Sequence, residues 1–121
     1  MKLNEMIQKI KMNPDYHKAG MILCHNGVVR STSRDGRKVT GLSVQVDHKK
    51  LNAVIEKNKK HPGIVDILVE IFDNRPLAVG DDVMYLLVAG DIRENVIDVL
   101  SNTLNAVKTT VTQKTEIYEI Q

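Results

Sequence analysis

The sequence predicts an α+β domain, three helices packed on a mainly antiparallel sheet, in one unit spanning residues 1–121. Three observations carry that expectation. Segments of helical period at 3–12, 47–60 and 91–107 are separated by pairs of strand-like segments, giving the order α-β-β-α-β-β-α-β. Residues 82–89 (DVMYLLVA) are apolar at successive positions, as a central strand covered on both faces would be. With 121 residues and 42% hydrophobic content, the chain is long enough for one substantial core and short for two.

Leu3, Met6, Ile7 and Ile10 fall at i, i+3, i+4 and i+7, so residues 3–12 form an amphipathic helix stopped by Asn13-Pro14. His17 follows in a linker with no second ligand at metal-binding spacing, which gives it a surface or hydrogen-bonded role. Residues 20–31 read as a strand interrupted at Asn26-Gly27, where glycine marks a bulge or a close backbone approach, with Arg30 at its end. STSRDG (31–36) is turn-rich, and 37–47 returns with Val39, Leu42, Val44 and Val46. The two strands are therefore expected to pair as a hairpin with a long loop of the kind that carries or covers ligand sites.

Asp47 is placed to cap the second helix, with Leu51, Val54 and Ile55 inward and Lys49, Lys50, Lys57, Lys59 and Lys60 in solvent. His61-Pro62-Gly63 ends it, IVDILVEIF (64–72) is the third long strand, and DNRPLAVGD (73–81) turns the chain into the central one. Gly90-Asp91 then opens the last helix. Asp91 is expected as its N-cap with Glu94 as capping-box partner, and Val96, Leu100, Thr103, Leu104 and Val107 line one face. Residues 111–120 supply a closing strand.

Composition excludes several functions. The net charge, 17 basic minus 15 acidic side chains, is +2, and three tyrosines, one phenylalanine and no tryptophan offer few platforms for stacking bases, so no nucleic-acid partner is expected. The lone Cys24 has no disulfide partner or zinc-site companion and reads as a small buried apolar residue. With no apolar run of bilayer length and no secretory signal, the expected setting is cytoplasmic, with no membrane partner.

Arg93 stands where a helix start already favours an anion, and Lys108 and Lys114 bracket KTTVTQK. The three suggest a pocket for a phosphate- or carboxylate-bearing ligand, with a solvated cationic face as the alternative.

Taken in order, NGVVR (26–30), LAVGDD (77–82), the apolar strand after it, Arg93 at the helix start, Lys108, and Lys114-Thr115-Glu116 resemble the large, catalytic subunit of molybdopterin synthase. The likeness runs from Gly20 to Glu116. It implies an α/β-hammerhead-type fold and a homodimer, each copy docking a small ubiquitin-like subunit that ends in Gly-Gly. The implied reaction passes sulfur from that subunit's C-terminal thiocarboxylate to cyclic pyranopterin monophosphate, making the molybdopterin dithiolene, with no metal or cofactor held by the large subunit.

On this resemblance Arg30 and Arg93 bind the substrate's phosphate. Lys108, with Lys114 as a second cation, acts as a nucleophile or proton carrier, or stabilises developing negative charge. Where the family has a histidine before the helix arginine, this chain has Ile92; Asp91 and His25 are the candidate substitutes. The second reading is a non-catalytic relative that binds a small phosphorylated ligand or a ubiquitin-like tail as a sensor or scaffold.

Overall fold

The structure is a computed structural model and describes residues 1–120. In chain order the elements are α1 (Leu3–Lys11), β1 (Met21–Val28), β2 (Val39–Val46), α2 (His48–Lys59), β3 (Ile64–Ile71), the short β4 (Leu77–Ala78), β5 (Asp82–Gly90), α3 (Arg93–Ala106) and β6 (Thr112–Tyr118). A single turn of 3₁₀ helix at Tyr16–Lys18 and a π-helical turn at Val107–Val111 complete the fold. This is the α+β order expected, with β4 added.

The strands form two antiparallel sheets, β1-β5-β3 and β4-β2-β6. β5 is the central strand of the first, and its apolar run is buried on both faces. Leu86 and Val88 join a core shared with α2, α3 and the second sheet, while Leu87 and Ala89 pack against Met6 and Ile10 of α1. Leu86, Leu87, Val88 and Ala89 are all fully buried, so truncating either leucine should cost about 2–5 kcal/mol.

The expected β1–β2 hairpin is not formed. Both edges of β5 are filled by β1 and β3, so the connection 29–38 carries the chain away to the second sheet, where β2 lies between β4 and β6. An isolated bridge between Thr32 and Lys38 joins the two ends of that loop. β1 itself stops at Val28, which leaves Arg30 beyond the strand, and its register against β5 shifts between Gly27 and Val28.

Local signals mostly act as the sequence suggests. Asp47 Oδ1 accepts from the Lys50 N–H at 3.0 Å, capping α2. Lys59 is the exception among the lysines of α2: it leans back to Asp66 at 3.7 Å instead of standing in solvent. Gly63, after the helix, has φ +84°, and a Cβ there would sit 2.3 Å from Asp91 Oδ1. Glycine is therefore required by both its backbone and its neighbour.

Asp91 is not the cap of α3. The helix starts one residue later with Ile92 at the N-cap, and the Asp91 carboxylate instead accepts from the Ile92 N–H at 2.7 Å and from Asn95 Nδ2 at 2.9 Å. These bonds, Asn95 first, hold its carboxyl below the ordinary range. Cys24 is exposed, contrary to expectation, because β1 is an edge strand and position 24 points to the sheet face opposite that of its neighbour His25. Partial desolvation raises its thiol above the usual value, which disfavours a reactive thiolate.

Candidate active site

The site grows out of three local irregularities. On a regular strand residues 25 and 30, five apart, would face opposite ways. Here the bulge at Gly27/Val28 and the early end of β1 let both His25 and Arg30 line one cavity. Asn26 pins that bulge, its Nδ2 donating to Asp82 Oδ1 at 3.1 Å across the strand pair. Asp82 also accepts from the Tyr85 hydroxyl at 2.5 Å, and these two bonds hold its carboxyl below the ordinary value.

The second irregularity is the π turn that ends α3. Threonine hydroxyls donate back to backbone carbonyls through it, Thr109 to Asn105 at 2.8 Å and Thr110 to Ala106 at 2.6 Å, and such back-bonding loosens regular helix. Val107 and Val111 remain buried on the inner side, and Lys108 is presented at the cavity rim. π turns of this kind recur at functional sites.

The third is the loop 31–38. Ser33 is buried and bonds the Asp35 carboxylate, while its oxygen accepts from the Arg37 N–H at 3.1 Å, folding the loop compactly. Opposite it, β6 turns Thr112, Lys114, Glu116 and Tyr118 to the cavity, the alternate residues of one strand face.

Together these elements enclose about 820 Å³. Ile71, Val83, Met84 and Val107 contribute apolar walls, and Arg30, Arg34, Lys108 and Lys114 supply positive charge against the carboxylates of Asp35 and Glu116. Such a space accepts a small molecule with an anionic end and a part that packs on apolar side chains. Arg30 Nε donates to the Thr32 carbonyl at 3.0 Å, fixing the plane of a guanidinium whose terminal nitrogens remain available to an anion. His25 is held below its ordinary value of 6.5, first by burial and then by the nearby charge of Lys108.

Of the four residues singled out in the sequence, Arg30, Lys108 and Lys114 therefore share one cavity. Arg93 does not line it. Arg93 and Lys108 are separated by the length of α3, 15 positions that at about 1.5 Å each amount to roughly 20 Å. At the helix start Arg93 is exposed and pairs with Glu94 at 3.3 Å. Arg34, Glu116 and Tyr118 were not picked out as site residues. The period-2 pattern of 112–118 was the available signal for the last two, whereas nothing in the turn-rich loop marked Arg34.

A family model described as MoaE protein matches residues 1–110. The chain belongs to the MoaE protein family. Its fold matches solved members closely: molybdopterin synthase from Staphylococcus aureus aligns at TM-score 0.78 and 20% identity, over 100% of this chain and 88% of that one. Molybdopterin cofactor biosynthesis protein E from Burkholderia multivorans aligns at TM-score 0.77 and 19% identity, over 98% and 82%. The protein–protein complex of subunits 1 and 2 of molybdopterin-converting factor from Helicobacter pylori contributes a chain at TM-score 0.72 and 16% identity, over 100% and 82%. No curated protein sequence is a significant match. In this MoaE family member Ile92 is half exposed at the N-cap of α3, beside Arg93 and away from the cavity.

Proposed function

We propose that the chain is the large subunit of a molybdopterin synthase and that the cavity is where sulfur passes from the C-terminal thiocarboxylate of a small ubiquitin-like subunit to cyclic pyranopterin monophosphate. The observation that carries this reading is the meeting of Arg30, Lys108 and Lys114, from three separate segments, on one cavity with apolar walls. Family membership and the solved structures of molybdopterin synthases support it.

In this reading Arg30 binds the cyclic phosphate through its terminal nitrogens, and the apolar walls receive the pterin. Thiocarboxylate and phosphate are both anions, so the cationic lining draws both reactants to one place. Lys108 stands at the rim, where the incoming Gly-Gly tail meets the substrate; once both are bound, bulk water is displaced from the acyl group and the lysine's interaction with it strengthens. It serves the acyl carbon as a nucleophile or its oxygen and leaving group as a cation, with Lys114 beside the substrate anion.

Arg93, roughly 20 Å from Lys108 along its own helix, is assigned to the cavity of a second copy in a homodimer. The test supplies purified protein with cyclic pyranopterin monophosphate and a thiocarboxylated small subunit and follows the dithiolene product by mass. Product formation supports the reading; absence of product despite bound partner overturns it.

A further inference from the structure

We propose that His25 is the general base of this pocket, taking the proton of the water that releases the small subunit from its sulfur. The assignment rests on the sulfur-transfer reading above. Its geometric basis is independent of any family motif. His25 lies on β1 among the lining residues, at the edge of the cavity that Lys108 also borders, and no hydrogen-bond partner of its ring is found among the described residues. Two residues on, on the same strand face, Gly27 offers no side chain. A Cβ there would press on Met84 Cγ at 3.2 Å and touch His25 Nε2 at 3.5 Å, so the ring nitrogen lies directly over Gly27, itself a lining residue of the cavity.

The chemistry requires such a group. With Lys108 acting as a cation, the thiocarboxylate sulfur bonds a substrate carbon and displaces an oxygen substituent from it, which leaves with a proton from solvent; the product is a thioester in which the tail's carbonyl and the substrate share one sulfur. Water adds to that carbonyl as its proton passes to Nε2. The carbon–sulfur bond breaks, the imidazolium returns the proton to the departing thiolate, and the tail leaves as a carboxylic acid that ionises to solvent. One water is consumed and no electrons are exchanged.

A base must be unprotonated before it acts. Burial and the charge of Lys108 both favour the neutral imidazole, so it is ready at neutral pH. The charged groups around it are Lys108, Lys114 and Glu116 from the helix end and β6, and Arg30, Arg34 and Asp35 from the loop. Tyr118, the remaining titratable group of the lining, is engaged with Glu116 at 3.4 Å and lies under Arg37.

The experiment compares wild type and His25→Gln, each assembled with thiocarboxylated small subunit, across pH. His25→Gln should lower turnover about 100-fold, a usual contribution of a general base, leave KM for the pterin phosphate within about threefold, and remove the acid-side fall of the wild-type profile. Equal turnover and an unchanged acid limb overturn the role of His25 while leaving the sulfur-transfer reading intact. A wild type that makes no product overturns both.

A second measurement guards against a folding defect in the variant. NMR titration of His25 in the protein alone should give a higher pKa in Lys108→Met than in wild type, and an unchanged value would put the ring out of reach of Lys108 and so overturn its place beside the reacting carbonyl.

Discussion

The guanidinium of Arg37 lies over the ring of Tyr118, its central carbon 3.6 Å from the ring centroid. This contact fastens the loop after β1 to the last strand, and both of those segments line the cavity.

Arg37→Ala should therefore cost about 0.5–1 kcal/mol, the usual worth of an exposed cation–π pair. The loss should appear in denaturant unfolding, together with faster amide exchange across 31–38. Unchanged exchange in that loop would mean that the Ser33 contacts hold it unaided.

The Tyr85–Asp82 bond should be visible at both ends of the pH scale. Asp82 is held below 3.8, by Tyr85 first and then Asn26, so its contribution is full above that value and is lost as pH falls through the folded pKa. Tyr85 is raised above 10.0, chiefly by the same bond, so its contribution is full below 10.0 and is lost as pH rises through the folded pKa. Tyr85→Phe should flatten both flanks of the stability profile measured by denaturant unfolding. A variant profile parallel to wild type would deny the bond any energetic role.

Assignment of Arg93 to a second copy makes a sharp prediction. Arg93→Ala and Lys108→Ala, each inactive alone, should recover activity when allowed to exchange subunits, because one of the two cavities in a mixed dimer then keeps both residues. If the two act within one chain, mixing restores nothing. The measured quantity is product formed by the mixture against each variant alone.

How much of this was legible beforehand differs by element. Consecutive apolar residues at 82–89 announced a strand covered on both faces, and Asp47 announced a helix start, because both signals are local. The β1–β2 hairpin failed as an expectation because pairing is decided by competition: β5, buried on both faces, takes β1 and β3 as its neighbours, and no local pattern in 20–47 records that. Asp91 has the composition of a cap, yet Gly63 packs against its carboxylate and Asn95 bonds it, two partners brought there by tertiary structure.

The site divides in the same way. Arg30, Lys108 and Lys114 stood out in the sequence, and the structure brings them to one cavity. Arg93, chosen with the lysines as a helix-start cation, is kept from them by the helix itself. His25 was visible only as a substitute for a missing histidine, since its place in the cavity lining comes from the strand pairing and the bulge that follows it.

Lys108 is exposed and makes no ion pair within the described residues, so its replacement should leave stability within about 0.5 kcal/mol. The central claim is best tested by giving wild type and Lys108→Ala the same thiocarboxylated small subunit and cyclic pyranopterin monophosphate and weighing the dithiolene product. Product from wild type and none from a variant of equal stability and equal partner binding is the predicted result; equal product from both, or none from wild type with its partner bound, would contradict it.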